Sequence, residues 1–391
     1  MLKLDYSLLS PQQIRFGWGA RQEAGKLAGR LGRQARIVLG SRSLADSAEY
    51  HQLLDSLRTA GIEPHHLTTI SREPEVQDVD QAVHQLLDRG IREGDFLIGI
   101  GGGAALDLAK AVAAMATNRE GDSVRDYLEG VGRGLTVERP PLPMMAIPTT
   151  AGTGSEATKN AVISSYDPVF KKSLRSDLMV PDVVLIDPEL TVSLPAKTTA
   201  FSGMDAITQC IESYISCRAR PIPSALALQG TQLAVPSIEE AVNDPHSRTA
   251  RERMSHAALL SGIALANSGL GMAHGVAAAL GVHCRVPHGL ACAVMLPVAL
   301  RTNREVSRYR IAELARACGH AGNHDLQLAE EFIVRIERLC RAVGIPQTLS
   351  ELGVKPEQIP HLVHSSRGNS MSGNPREVSD GELTQILEGM L

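Results

Sequence analysis

A chain of 391 residues is long enough for two domains of ordinary size. With 43% hydrophobic and 21% charged residues it has a globular make-up, and only 3% are aromatic, too few for a base-stacking platform on single-stranded nucleic acid. The 39 basic and 43 acidic residues leave a net charge of −4 with no block of like charge, so neither nucleic acid nor a membrane surface is an expected partner.

The start, Met1-Leu-Lys-Leu-Asp-Tyr6, lacks a basic head followed by an apolar run. No export signal is expected, and the cytoplasm is the default location. Up to about residue 190 short apolar strands alternate with helices. Arg36–Leu39 reads as a buried strand ending at Gly40, and Leu44–Ala60 as a helix closed by Gly61. Phe96–Ile100 is a second strand, followed by three glycines and an Ala-rich helix over Ala104–Met115. Met144–Ile147 is a third strand and Val183–Ile186 a fourth, each stopped by proline. This alternation predicts a parallel sheet covered by helices over residues 1–190. After Pro188–Pro195 helical periodicity dominates, as in Ser224–Leu233, Arg251–Ala266, Ala291–Leu300 and Leu326–Val343, so residues 191–391 are expected to form a mainly α-helical domain. The apolar stretch 257–282 is broken by polar residues, glycines and His274. It reads as two buried helices and a turn rather than a membrane span. Residues 365–375 read as a polar loop with no assigned chemistry. The cysteines at 210, 217, 284, 292, 318 and 340 form no CxxC pair and read as reduced thiols.

Two loops and one scattered constellation carry chemistry. Gly101-Gly-Gly-Ala-Ala-Leu-Asp-Leu-Ala-Lys110 follows a strand and opens a helix. Backbone without Cβ atoms and free N–H groups there suit a pyrophosphate, although the spacing is not GxGxxG and a plain tight turn has the same look. Pro148-Thr-Thr-Ala-Gly-Thr-Gly-Ser-Glu156 offers hydroxyls at a strand end, where open α/β sheets bind ligands. Ser155 or Thr153 would equally serve as a helix N-cap. Asp205 and Gln209 are one helical turn apart and share a face, so both can reach one ion. His274 lies among alanines and glycines, and His288 opens another apolar helix. Each is either a metal ligand or a hydrogen-bonded core residue, and spacing alone does not show that they converge.

In order, the motifs GGGxxxDxxK, PTTAGTGSE, GMDAxxxxIE, GxxHGxxxxLG and VPHG resemble those of the iron-containing (group III) alcohol dehydrogenases, and the likeness runs from Phe16-Gly17 to Pro297. The resemblance implies a Rossmann-like α/β dinucleotide domain, an α-helical domain of dehydroquinate-synthase-like architecture and a homo-oligomer, usually a dimer. It implies hydride transfer between NAD or NADP and a small alcohol or aldehyde, the cofactor contacting Gly102, Gly103, Ala104, Asp107, Thr149, Thr150, Thr158, Asn160 and Lys171. The family's divalent metal is held by Asp, His, His and His. Asp205, His274 and His288 match three of these, and Gln209 stands at the fourth. Fe2+ is the family expectation, and Zn2+ suits three N/O ligands with an open position as well. Where many members carry a second His after the first of these histidines this chain has Ala278, so no general acid or base is assigned. Ser41, where NAD-preferring relatives often have Asp, points with Arg42 toward NADP. Three other readings stand beside this one: a metal-independent, maleylacetate-reductase-like carbonyl reductase, a dehydroquinate-synthase-like lyase, and a binding protein with a decayed metal site.

Overall fold

The structure, a computed structural model, describes residues 4–391. Its strands are β1 (Gln13–Phe16), β2 (Gln34–Leu39), β3 (Glu63–Thr69), β4 (Asp95–Gly101), β5 (Met144–Pro148), β6 (Asn160–Tyr166), β7 (Val169–Arg175) and β8 (Val183–Ile186). Six of them form one parallel sheet in the order β1-β8-β5-β4-β2-β3. The four strands expected from apolar runs are its middle: β4, β5 and β8 are buried at every residue, as in a sheet covered on both faces. Around it lie α1 (Ala24–Ala28), α2 (Arg42–Ala45), α3 (Ala48–Thr59), α4 (Val76–Asp88) and α5 (Gly103–Met115).

Three elements of this half differ from the sequence expectation. The helix expected over 44–60 is two helices, because Ser47 leaves helical geometry and its hydroxyl caps α3 by accepting from the Tyr50 N–H at 3.1 Å. The strand β3 went unseen because it is an edge strand of polar character, Glu-Pro-His-His-Leu-Thr-Thr. Only an edge tolerates proline and half-exposed side chains in this way. The antiparallel hairpin β6–β7 was also missed, although Ala161 and Ile163 alternate inward along β6.

The remaining helices are α6 (Ala196–Ile215), α7 (Pro221–Ala234), α8 (Ile238–Asn243), α9 (Arg248–Asn267), α10 (Met272–Cys284), α11 (His288–Ala317), α12 (Asp325–Ala342), α13 (Ile359–Ser365) and α14 (Asp380–Glu388). Here α6 packs on α7, α9 and α11, and α10 packs on α11 and α13. Among the described residues no single helix is long and apolar enough to cross a membrane; α9 and α10 are mostly buried and meet at 98°. All six cysteines are free thiols, with Cys210, Cys292 and Cys340 buried.

By contacts the chain divides into two compact units. One comprises Leu9–Thr150 and Ser155–Val192. The other comprises Ser193–Leu391 with Ala151–Gly154 and the residues up to Leu8. The small-residue loop joins the helical unit because of two glycines. A Cβ on Gly262 of α9 would stand 2.2 Å from the carbonyl oxygen of Gly154, and Gly154 itself has φ +60°. Gly262→Ala is therefore expected to destabilise the fold. Alanine's helix preference, about 1 kcal/mol, is outweighed by overpacking against rigid backbone, leaving a net loss of about 1–2 kcal/mol. A urea midpoint equal to or above wild type would show that the contact yields.

Candidate functional site

In the α/β unit, β2 and β4 are neighbours whose connections leave in opposite directions, the place where open sheets hold ligands at their strand ends. The two ends touch: a Cβ on Gly101 would lie 2.7 Å from the Gly40 Cα. Gly102 is the N-cap of α5 and Gly103 and Ala104 open it, so their N–H groups point out of a helix start. Thr149 donates its N–H to the Gly101 carbonyl at 2.9 Å, and the Thr150 side chain faces Gly102. Ser41, just beyond β2, caps α2 by accepting from the Leu44 N–H at 3.1 Å, and Arg42 beside it is exposed.

Other expected cofactor residues are engaged within the protein. Lys110 is fully buried and spends its ammonium donors on the Ser155 carbonyl at 2.9 Å, the Thr158 hydroxyl at 2.9 Å and the Asn160 carbonyl. Asp107 lies 3.1 Å from that ammonium and accepts from the Ser155 hydroxyl and, at 2.9 Å, from the Val162 N–H. Lys171 pairs with Glu73. The aspartate and lysine of GGGxxxDxxK thus fasten the glycine turn to the PTTAGTGSE loop and the hairpin. Burial pushes the Lys110 ammonium below its ordinary range, against Asp107, which favours the charge.

The metal candidates come together inside the helical unit. Asp205 projects from α6, His274 from the first turn of α10, and His288 is the first residue of α11, held there by Pro287 at its N-cap. Gly289 lets α11 start against α6, since a Cβ there would meet the Phe201 carbonyl oxygen at 2.4 Å. His274 Nε2 lies 3.3 Å from Asp205 Oδ1, and His288 Nε2 lies 4.0 Å from the same oxygen. Asp205 and His274 are 1% and 4% exposed, yet Asp205 Oδ1 and His274 Nε2 have no hydrogen-bond partner among the described residues. Two buried polar atoms facing each other without a hydrogen bond are costly, unless an ion belongs between them. Donors sharing one ion at bond lengths of about 2.0–2.3 Å stand about 3.3–3.8 Å apart in a tetrahedron. The Asp205–His274 pair fits a divalent metal on that measure, and His288 at 4.0 Å stands just outside it.

Two residues at this site had no place in the sequence reading. Cys292, one turn after His288 on α11, puts its sulfur 3.7 Å from His288 Nε2 and within 4.8 Å of every other donor atom. Glu212, on the Asp205 face of α6 two turns on, accepts from His274 Nδ1 at 2.7 Å and from the N–H groups of Gly271 at 3.0 Å, Ala273 at 2.7 Å and His274 at 3.3 Å. It caps α10 and holds a proton on His274 Nδ1, which would leave Nε2 to ligate an ion placed between it and Asp205. Gly271 is glycine because a Cβ would come within 2.8 Å of Glu212 Oε1. The spacings i+4 from His288 and i+7 from Asp205 were the available signals. Gln209 shares the Asp205 face, but its Oε1 accepts a 2.6 Å hydrogen bond from the Ser261 hydroxyl of α9. Ala278, one turn beyond His274, is half-buried and has no titratable group. The segment 365–375, expected to be a polar loop, is in fact tied into the helical unit. Asn374 is 6% exposed, accepts from the Met272 N–H at 3.2 Å and exchanges hydrogen bonds with Asn303, while Met371 packs beside Gly275.

Similarity to known proteins identifies the family. Residues 11–188 match the iron-containing alcohol dehydrogenase profile, and residues 199–391 match the C-terminal profile of the Fe-containing alcohol dehydrogenase family. The chain is 32% identical to the NAD-dependent methanol dehydrogenase of Bacillus methanolicus, over 97% of this chain and 98% of that one. It is 31% identical to the NADPH-dependent butanol dehydrogenase of Clostridium saccharobutylicum, over 97% and 96%. A solved 1,3-propanediol oxidoreductase superposes with a TM-score of 0.92 at 32% identity, covering 99% of this chain and 100% of that one. On both halves of its length, then, the chain belongs to the iron-containing alcohol dehydrogenase family.

Proposed function

We propose that this alcohol dehydrogenase interconverts small, uncharged alcohols and aldehydes, uses NADP in preference to NAD, and holds its metal through Asp205, His274 and His288. The observation that carries the reading is the buried pair Asp205 Oδ1 and His274 Nε2, 3.3 Å apart and without hydrogen-bond partners among the described residues. A metal-independent reductase would leave that pair uncompensated. When bound, the metal supplies Lewis acidity toward the substrate oxygen.

The chain's own residues do the rest. Glu212 keeps the proton of His274 on Nδ1, so Nε2 is a ligand and not a donor. His288, with 30% of its side chain exposed against 1% for Asp205, is the member of the set open to an incoming substrate. The helix start at Gly102–Ala104 orients the cofactor pyrophosphate. Ser41 and exposed Arg42 beyond β2 suit a 2′-phosphate, whereas a carboxylate there would favour a free ribose hydroxyl. Charged residues are scarce around 256–300, with Arg285 the one Lys, Arg, Asp or Glu, which supports an uncharged substrate. The two relatives differ in cofactor by their names, so this chain's own loop decides its preference.

The test is a cofactor-coupled screen of small alcohols and aldehydes on chelator-stripped protein, before and after adding back Fe2+ or Zn2+. Turnover should depend on metal, and kcat/KM should favour NADP(H) by roughly tenfold, the worth of one charge-assisted contact of about 1.4 kcal/mol. Equal turnover by stripped protein would refute the metal reading, and a strong NAD preference the cofactor reading.

A further inference from the structure

The structure assigns the fourth metal donor to the sulfur of Cys292, in the place where the sequence pattern puts Gln209, and we infer that the site therefore selects Zn2+ over Fe2+. This rests on the proposed metal site at Asp205, His274 and His288. Cys292 lies on α11 one turn beyond His288, so the two side chains leave the same face of one rigid helix. The sulfur is 3.7 Å from His288 Nε2, and all four donor atoms lie within 4.8 Å of one another. For Zn–N of about 2.0–2.1 Å and Zn–S of about 2.3 Å, a tetrahedral N···S separation is about 3.5 Å, so the Cys292–His288 pair is close to ligating distance and the widest pair of the set would draw in by roughly 1 Å on binding.

Gln209 is differently committed. Its amide oxygen, the one atom of that side chain suited to ligation, accepts the Ser261 hydroxyl proton at 2.6 Å and ties α6 to α9. In this proposal Gln209 serves the packing of α6 on α9, and Cys292 restores the donor count. The exchange changes the character of the site. A neutral amide oxygen is a weak, hard donor, whereas a thiolate is soft and charged. An Asp, His, His, Cys set is borderline-soft and favours Zn2+, which also stands above Fe2+ in the usual affinity order. Cys292 is fully buried and His288 is 30% exposed on its side chain, so sulfur closes the inner side of the set.

The test uses full-length protein purified without a chelating tag, stripped, and titrated with Co2+ as a spectroscopic stand-in for Zn2+. Wild type should show visible ligand-field bands together with a near-ultraviolet thiolate-to-cobalt band. Cys292→Ser should keep the ligand-field bands and lose the thiolate band. Gln209→Met should keep both. In competition, the preference of Cys292→Ser for Zn2+ over Fe2+ should fall at least about tenfold, the loss of one soft ligand. Ligand-field bands without a thiolate band in wild type would overturn the assignment of Cys292 and leave the metal site standing. Absence of any Co2+ binding would instead sink the metal site itself. If Cys292→Ser fails to fold, the wild-type spectrum alone still decides.

Discussion

Asp205→Asn is expected to yield a folded protein that has lost its tight metal and roughly two to four powers of ten in kcat/KM. The substitution is nearly isosteric, and Asp205 lies in a buried stretch of α6 whose packing it leaves unchanged. What changes is charge. Asp205 is the carboxylate of the proposed donor set, and it faces His274 at 3.3 Å and His288 at 4.0 Å. A neutral amide oxygen removes the one hard anionic ligand, and its NH2 group presents a donor toward an imidazole nitrogen that should coordinate. Lewis-acid stabilisation of a developing alkoxide is worth several kcal/mol, and each 1.36 kcal/mol is tenfold in rate, which sets the roughly hundred- to ten-thousandfold loss. Circular dichroism should match wild type, while metal content after desalting should fall below one equivalent. Wild-type turnover with unchanged metal content would remove Asp205 from the site.

How far this site could be read from sequence follows from where its parts lie. The strands β4, β5 and β8 were legible because a strand buried on both faces must be an unbroken apolar run. β3 was not, because an edge strand exposes half its side chains and looks like a loop. Asp205, His274 and His288 stood out as polar residues in apolar helices, but only the ordered motifs brought them together; the structure shows why they meet, on α6, α10 and α11 packed in one helical unit. Gln209 was assigned by its spacing from Asp205. That spacing is real, but its oxygen turns to Ser261, an acceptor–donor match that no one-dimensional pattern displays. Cys292 reads from sequence only as one of six reduced thiols. Its burial was legible, but its sulfur's nearness to His288 needed a helix face to be drawn. Asn374 was illegible altogether, because its partners Met272 and Asn303 lie 102 and 71 residues away in the chain.

Substitutions at Glu212 should separate fold from metal binding, because this one carboxyl group serves both. Glu212→Ala removes the acceptor for three backbone N–H groups at the start of α10 and for His274 Nδ1, all buried. A lost cap costs about 1–2 kcal/mol, and leaving further buried donors unpaired adds about 1–3 kcal/mol, so a loss of about 2–5 kcal/mol in unfolding free energy is expected, enough to threaten expression at physiological temperature. Glu212→Gln keeps shape and one acceptor oxygen, so its stability cost should be much smaller. Its NH2 group, however, can donate to His274 Nδ1 and move the imidazole proton to Nε2, the atom facing Asp205 at 3.3 Å. The tautomer is then wrong for ligation, and metal affinity should fall about 10- to 100-fold, as for other partners of ligating histidines. Urea unfolding and chelator competition on the two variants measure the two effects separately. If Glu212→Gln binds metal as tightly as wild type while Glu212→Ala unfolds readily, Glu212 acts as a helix cap alone. If both bind weakly and only the alanine variant is destabilised, the same carboxyl group holds the first turn of α10 and aims its histidine.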